Sequence, residues 1–241
     1  MKKLRVLLPA ILLIAAPLLA NAQAFSKDDP VGAEQVFVTT EAEGWVSDRT
    51  VFKIVDKKEA AGRTTLTISA ISSTKEKKDA EPIETKLTVS IIYTANEIIT
   101  PKENFTSAVS MLEKEFDGHK VKATFSGDDP AIPMQPKVGQ KLADNEIRAN
   151  IDIEGITAKM TLKDSDRRIS AQERVSVPAG AYDAYVLEEA SSAKVSVLII
   201  SETEKTTGKS WLVPGMGEVK SVTYDKKGKL MSTSEMISYT K

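Results

Sequence analysis

Almost every side chain in this sequence that could carry chemistry is a carboxylate. Close pairs stand at Glu41 and Glu43, Asp128 and Asp129, Asp164 and Asp166, and Glu188 and Glu189. Two carboxylates flanking a glycosidic bond can serve as acid and as base or nucleophile. These pairs, however, fall in turn-like or strand-end stretches, where Asp and Glu are ordinary surface residues. Aromatic residues make up only 5% of the chain, which is thin for a sugar-binding cleft. Asp164-Ser165-Asp166 and Asp128-Asp129 group oxygens that could attract calcium, but neither has the ligand spacing of the helix-flanked calcium loop. There is one histidine, His119, after Asp117-Gly118 in a turn-like stretch, and no cysteine. A zinc site of nitrogen and sulfur ligands cannot be built from that set. Ser-His-Asp catalysis would need His119 itself, and no G-x-S-x-G elbow is present. The close glycine pairs sit between strand-like segments rather than before a helix, so no phosphate loop is expected. Asn104-Phe105-Thr106 fits a glycosylation acceptor by pattern alone. The expectation is a non-enzymatic chain with no catalytic residues, no metal and no cofactor.

The more informative pattern is apolar. Phe105, Val109, Leu112 and Phe116 recur at helical spacing behind Thr100-Pro101-Lys102-Glu103, which reads as a capping box, and Asp117-Gly118 ends the run. Leu66 and Ile68, and Val89 and Ile91, alternate along two strand-like segments and share faces. The stripe either packs on a sheet as plain core or covers a concave apolar groove. In the second case Leu66, Ile68, Val89, Ile91, Leu112 and Phe116 would touch a ligand, since such pockets are apolar with few polar anchors.

The elements that must position these residues are strands. Gln35–Thr40, Thr50–Val55, Arg63–Ser72 and Glu84–Tyr93 form a meander, with Asp56–Gly62 as a turn. A Pro- and Gly-rich stretch from Gly127 to Gly139 reads as a long crossing loop. Strands resume at 146–153, 156–162, 169–177, 182–189 and 195–201. Val219–Tyr224 and Leu230–Tyr239 make a final hairpin around Asp225-Lys226-Lys227-Gly228, a type I turn with a glycine bulge. Trp211, just before Pro214-Gly215-Met216-Gly217, is the best candidate for a core plug. The fold class expected is mostly β: a curved antiparallel sheet or half-open β-barrel with one amphipathic helix.

The front of the chain sets its address. Lys2, Lys3 and Arg5 precede an apolar run from Val6 to Ala20 and a small-x-small site at Ala20-Asn21-Ala22. This is the pattern of a cleavable signal peptide, 1–22. Residues 23–34 read as a flexible lead-in and 35–241 as one open-barrel domain. With no cysteine at the cleavage site no lipid anchor is expected, and no later segment is apolar enough to span a bilayer. The expected location is the periplasm. The sequence carries 33 basic and 34 acidic residues, and loss of 1–22 leaves 30 against 34. That mixed surface argues against nucleic acid, which favours a basic stripe.

Two glycine corners carry a resemblance. Val-Pro-Ala-Gly-Ala-Tyr-Asp-Ala-Tyr at 177–185 and Gly-Lys-Ser-Trp-Leu-Val-Pro-Gly-Met-Gly-Glu-Val-Lys at 208–220, with the hairpin Val51–Ile68, resemble the TapB-like family. That family groups exported Gram-negative proteins close to a broader domain of unknown function. The resemblance implies a curved sheet similar to the LolA-like carriers, which hold acyl chains on the concave side. It transfers no catalytic residue. The leading expectation is a non-enzymatic periplasmic protein that binds a hydrophobic ligand, with a lipid or lipoprotein as partner. The alternative is a structural or interaction subunit of the cell envelope with a filled core and another envelope protein as partner.

Overall fold

The computed structural model describes residues 25–106, 109, 121–153 and 155–241. The expected signal peptide, His119, Leu112 and Phe116 lie outside them. The described chain forms β1 (Glu34–Glu41), β2 (Val46–Ala60), β3 (Arg63–Thr74), β4 (Ile83–Tyr93), β5 (Glu97–Ile99), β6 (Val121–Gly127) and β7 (Ala131–Pro133). It continues with β8 (Asn145–Ile153), β9 (Ile156–Val177), β10 (Gly180–Val197), β11 (Ile200–Val213), β12 (Gly217–Asp225) and β13 (Leu230–Thr240). All belong to one antiparallel sheet in the order β6-β8-β9-β10-β11-β12-β13-β1-β2-β3-β4-β5-β7. The fold class is therefore mostly β, a single curved sheet that is not closed into a barrel.

The two edge strands of this sheet, β6 and β7, are consecutive in the chain. Only Asp128-Asp129-Pro130 separates them. Four Cα–Cα steps of 3.8 Å reach at most about 15 Å. The sheet must curl until its edges meet at that corner. Polar groups fasten the meeting point. Asp128 N donates to the Glu146 carbonyl (2.9 Å), and Glu146 N donates to Asp128 Oδ2 (3.1 Å). Asp129 Oδ1 accepts from Lys102 N and Nζ, both at 3.0 Å, and Thr100 N donates to the Pro130 carbonyl (2.8 Å). Gly127 has φ +102°, and a Cβ there would lie 2.0 Å from the Glu146 carbonyl oxygen, so only glycine fits.

The curl gives the sheet an inside, and strand alternation fills it. Phe52 and Ile54 on β2, Leu66, Ile68 and Ala70 on β3, and Val89 and Ile91 on β4 are buried. Ile147, Ala149, Ile151 and Ile153 on β8 face Ala158, Met160 and Leu162 on β9 within the same core. Phe37 meets Phe52 edge-on at 5.9 Å. Each buried Val, Leu, Ile, Met or Phe among them stabilises the fold by about 1.5–3 kcal/mol. Phe105 and Val109, the described part of the apolar stripe, are buried as well. Helical structure is described at 104–106 and 109. Thr100 does not cap it: its hydroxyl has no partner among the described residues, and its N–H goes to Pro130.

Several boundaries differ from expectation. β2 runs to Ala60 and turns over Ala61-Gly62 at positive φ, so Asp56–Ala60 are strand rather than turn. Residues expected as a loose lead-in are packed: Phe25, Asp29 and Ala33 are buried, and Tyr93 Oη donates to the Phe25 carbonyl. β9 is continuous where two strands, 156–162 and 169–177, were expected, and β10 joins 182–189 to the first residues of the expected strand 195–201, whose remainder is a turn and the start of β11; bulges carry the charged middle through the ladder. The final hairpin forms as expected, with Asp225 Oδ1 accepting from Lys227 N and Lys229 N and Gly228 at φ 78°. β13 pairs with β1 in mid-sheet and joins the two halves of the chain.

Candidate functional site

The inner face is apolar at one end and polar at the other. Ladder partners share a face, and the row Ser210, Ser221, Ser234, Thr39, Asp48, Thr74 crosses five strand pairs. Thr50 and Thr74 hydroxyls donate to the two oxygens of Asp48 at 2.6 and 2.7 Å. At the end of this band, where β9 approaches the seam, lies a buried ion cluster.

Its arrangement comes from a local break in β9. Asp164 and Arg167 are three residues apart, yet both are buried. A regular strand would put them on opposite faces. Asp166, at φ 55°, and a register shift between Glu188 and Ala190 supply the extra step. Arg167 then reaches across the seam. Its Nε donates to Glu189 Oε2 (3.3 Å), Nη1 to the Ala143 carbonyl (3.1 Å) and Nη2 to the Ala131 carbonyl on edge strand β7 (3.2 Å). Asp164 Oδ1 accepts from the Ser191 hydroxyl (2.7 Å). Asn145, with its amide turned to satisfy both neighbours, donates to Asp164 Oδ2 (3.0 Å) and accepts from Arg167 Nη1 (3.2 Å). Next to these, Glu218 projects inward beside Leu212 and Ser210.

The electrostatics follow from burial. Burial pushes the Glu218 carboxyl up to about 8, the Glu189 charge pushes the same way, and the Ser210 and Ser221 hydroxyls oppose it. At neutral pH it is mostly the neutral acid, with Oε1 unpaired among the described residues. Glu189 is raised by burial and by Asp164, with Arg167 opposing. Among the described residues no group of three or more His, Cys, Asp or Glu could hold a metal ion. Of the calcium candidates considered above, Asp164 accepts from Asn145 and Ser191, Asp128 from the Glu146 N–H, and Asp129 from the Lys102 N–H and ammonium. Each charge in the cluster meets a structural partner, and the arrangement ties β9 to β7 and to the 143–145 segment.

The structure brings four of the six expected groove residues together. Leu66 stands across from Ile91, and Ile68 from Val89, on neighbouring strands. They are 0%, 1%, 2% and 0% exposed for Leu66, Ile68, Val89 and Ile91, and belong to one core with Phe105 and Val109. Leu112 and Phe116 lie outside the described residues. Trp211 is not a core plug. It is half-buried on the outer face, where its Nε1 donates to Glu173 Oε1 (2.7 Å) and Lys220 lies 5.7 Å from its ring centroid. Arg167, Asn145 and Glu218 were not anticipated. One signal was available: Arg167-Arg168 and Glu188-Glu189 are complementary doublets on consecutive strand-like segments.

Residues 31–236 match the DUF3108-like family. The chain belongs to that family. Two solved structures of this fold are similar over their whole length. One is described as an exported protein with a YmcC-like fold from Bacteroides fragilis, at 17% identity and TM-score 0.62, covering 90% of this chain and 100% of that one. The other, described as a lipoprotein from Parabacteroides distasonis, has 14% identity and TM-score 0.65, covering 91% and 100%. At these identities the likeness is one of fold. No curated protein matches the sequence significantly. Among the described residues no helix is long and apolar enough to cross a membrane.

Proposed function

We propose that this chain is a non-enzymatic, exported protein of the cell envelope whose apolar interior is structural and which works through its surface. The observation that carries the reading is the burial of Leu66, Ile68, Val89 and Ile91, none more than 2% exposed, against the chain's own Phe105 and Val109. Side chains lining an accessible acyl-chain groove would keep more of their surface open. The ion cluster supports the same reading, since it spends its hydrogen bonds on the seam. Export fits the front-end pattern and the relatives described as an exported protein and a lipoprotein. We infer a periplasmic location from the front-end signal-peptide pattern. Within the family the two glycine corners favour the TapB-like group.

The test is native mass spectrometry of protein purified from the periplasm, with solvent extraction of bound material. The expected result is the bare mass, unchanged after incubation with envelope lipids. A lipid of defined mass bound one-to-one would overturn the filled interior and restore the carrier reading, with Leu66, Ile68, Val89 and Ile91 as its lining.

A further inference from the structure

We propose that the tip of the β10–β11 hairpin, Leu198-Ile199-Ile200, inserts into the surface of a phospholipid bilayer. Val197 pairs with Ile200, so Leu198 and Ile199 are the two turn residues. Two-residue turns favour Asn, Asp and Gly, because at least one position needs positive φ. Here Leu198 takes that position at φ 53°. Leu198 is 72% exposed and Ile199 100% exposed, so neither repays the strain with core packing. A single exposed aliphatic residue is ordinary. Three in a row on a strained turn satisfy no requirement of the fold.

The neighbourhood says what covers them. Val197 stands opposite Ala158, which sets the β8–β9 tip beside this one, and Ile156 there is 41% exposed. Below this apolar cap comes a polar band: Thr157, whose hydroxyl donates to Asp152 Oδ2 (3.4 Å), and the Ser196–Ser201 pair, whose oxygens are 2.9 Å apart. Lys159 stands exposed on the outer face opposite Ser196, Lys194 stands exposed on the same face two residues further from the tip, opposite Thr161, and Glu202 lies on the other face. An aliphatic cap above a band of hydroxyls and Lys159, with Lys194 below, follows the order of acyl boundary and headgroup level in a bilayer surface. The shape agrees. β12 pairs with β11 only from Thr206 onward, so Ile200–Lys205 have one edge uncovered and the hairpin, flanked on its other side by the β8–β9 tip, projects past β12. At roughly 3.3 Å per residue those six residues span about 20 Å, more than the 5–10 Å an interfacial element penetrates. A convex apolar point fits a deformable surface, whereas a protein partner would need a matching pocket.

This inference rests on the surface-acting reading above. The experiment is flotation of the mature protein with phosphatidylethanolamine–phosphatidylglycerol vesicles, comparing wild type with Leu198→Asn/Ile199→Gly. That pair suits the turn and should leave the hairpin folded, which circular dichroism checks. Wild type should float, and the variant's vesicle partition should fall by about a hundredfold, as expected for withdrawing two aliphatic side chains from lipid. Wild type remaining with the soluble fraction overturns the proposal, and so does equal flotation of both proteins. Vesicle lipid recovered one-to-one with protein that has left the vesicles would instead overturn the filled interior, whatever the tip does.

Discussion

Two ion pairs sit at adjacent positions on β9 and β10 and point opposite ways. Arg167 and Glu189 face inward, with the arginine side chain 5% exposed. Arg168 and Glu188 face outward, with the arginine side chain 62% exposed. The residue types are the same and the distances similar, 3.3 and 2.7 Å. Their surroundings differ in every respect. The inner guanidinium also holds the Ala131 and Ala143 carbonyls and Asn145. The outer pair shares Glu188 with Lys209 at 2.8 Å and faces solvent. Chemical identity therefore says little about what an ion pair contributes; burial and the count of dependent partners decide it.

The inner pair should break hardest. Arg167→Ala would strand Asp164 and Glu189 as buried charges and leave the Ala131 and Ala143 carbonyls unpaired. Losing one partner of a buried pair costs about 3–5 kcal/mol. Glu189 keeps 26% of its side chain exposed, which favours the lower end. Urea unfolding at pH 7 measures this. A loss below about 1 kcal/mol would mean that water already reaches the cluster and that the contrast between the two faces is wrong.

Glu218 sharpens the contrast through pH. Its folded pKa of about 8 lies above the 4.5 of an ordinary glutamate. The folded state therefore holds a proton that the unfolded state has released, so stability falls as pH rises between those values. The stabilising contribution is fully present below about 4.5 and gone above about 8. The groups facing it are Ser210, Ser221 and Glu189, with Arg167 beyond. Glu189, also raised by burial, adds to the same slope. Unfolding free energies at pH 5, 7 and 9 should decline, and Glu218→Gln should flatten the decline. An unchanged slope in the variant would place the titration elsewhere.

The sequence made the inner face of β3 and β4 readable because alternation survives there without interruption. Leu66, Ile68, Val89 and Ile91 announce their face by period alone. The final hairpin was readable because Asp225 and Gly228 stand where the turn needs them. The seam cluster was not. Asp164-Ser165-Asp166-Arg167-Arg168 looks like a charged turn, and only pairing with β10, a bulge and one positive φ carry it through a strand. The seam itself depends on β6 and β7 occupying opposite ends of one sheet, a long-range fact that no local window contains. Trp211 failed for a related reason: size suggested core, while strand parity set it on the outer face with Lys220.

The outer pair gives the smallest effect, and its smallness is the point. Arg168 donates from both Nε and Nη2 to one oxygen of Glu188, at 3.1 and 2.7 Å. Lys209 chiefly, and Arg168 next, hold the Glu188 carboxyl below the usual range, so whatever the pair contributes is present at neutral pH and is lost as acid protonates it. Exposed pairs contribute about 0–1 kcal/mol, and screening removes part of that. Because Lys209 remains on Glu188, Arg168→Ala should cost about 0.5 kcal/mol in low salt and less at 0.5 M salt, roughly a sixth of the Arg167→Ala loss. Salt should leave the Arg167→Ala loss nearly unchanged, since buried charges are poorly screened. Equal losses, or equal salt dependence, would show that the two faces of β9 and β10 are not electrostatically distinct.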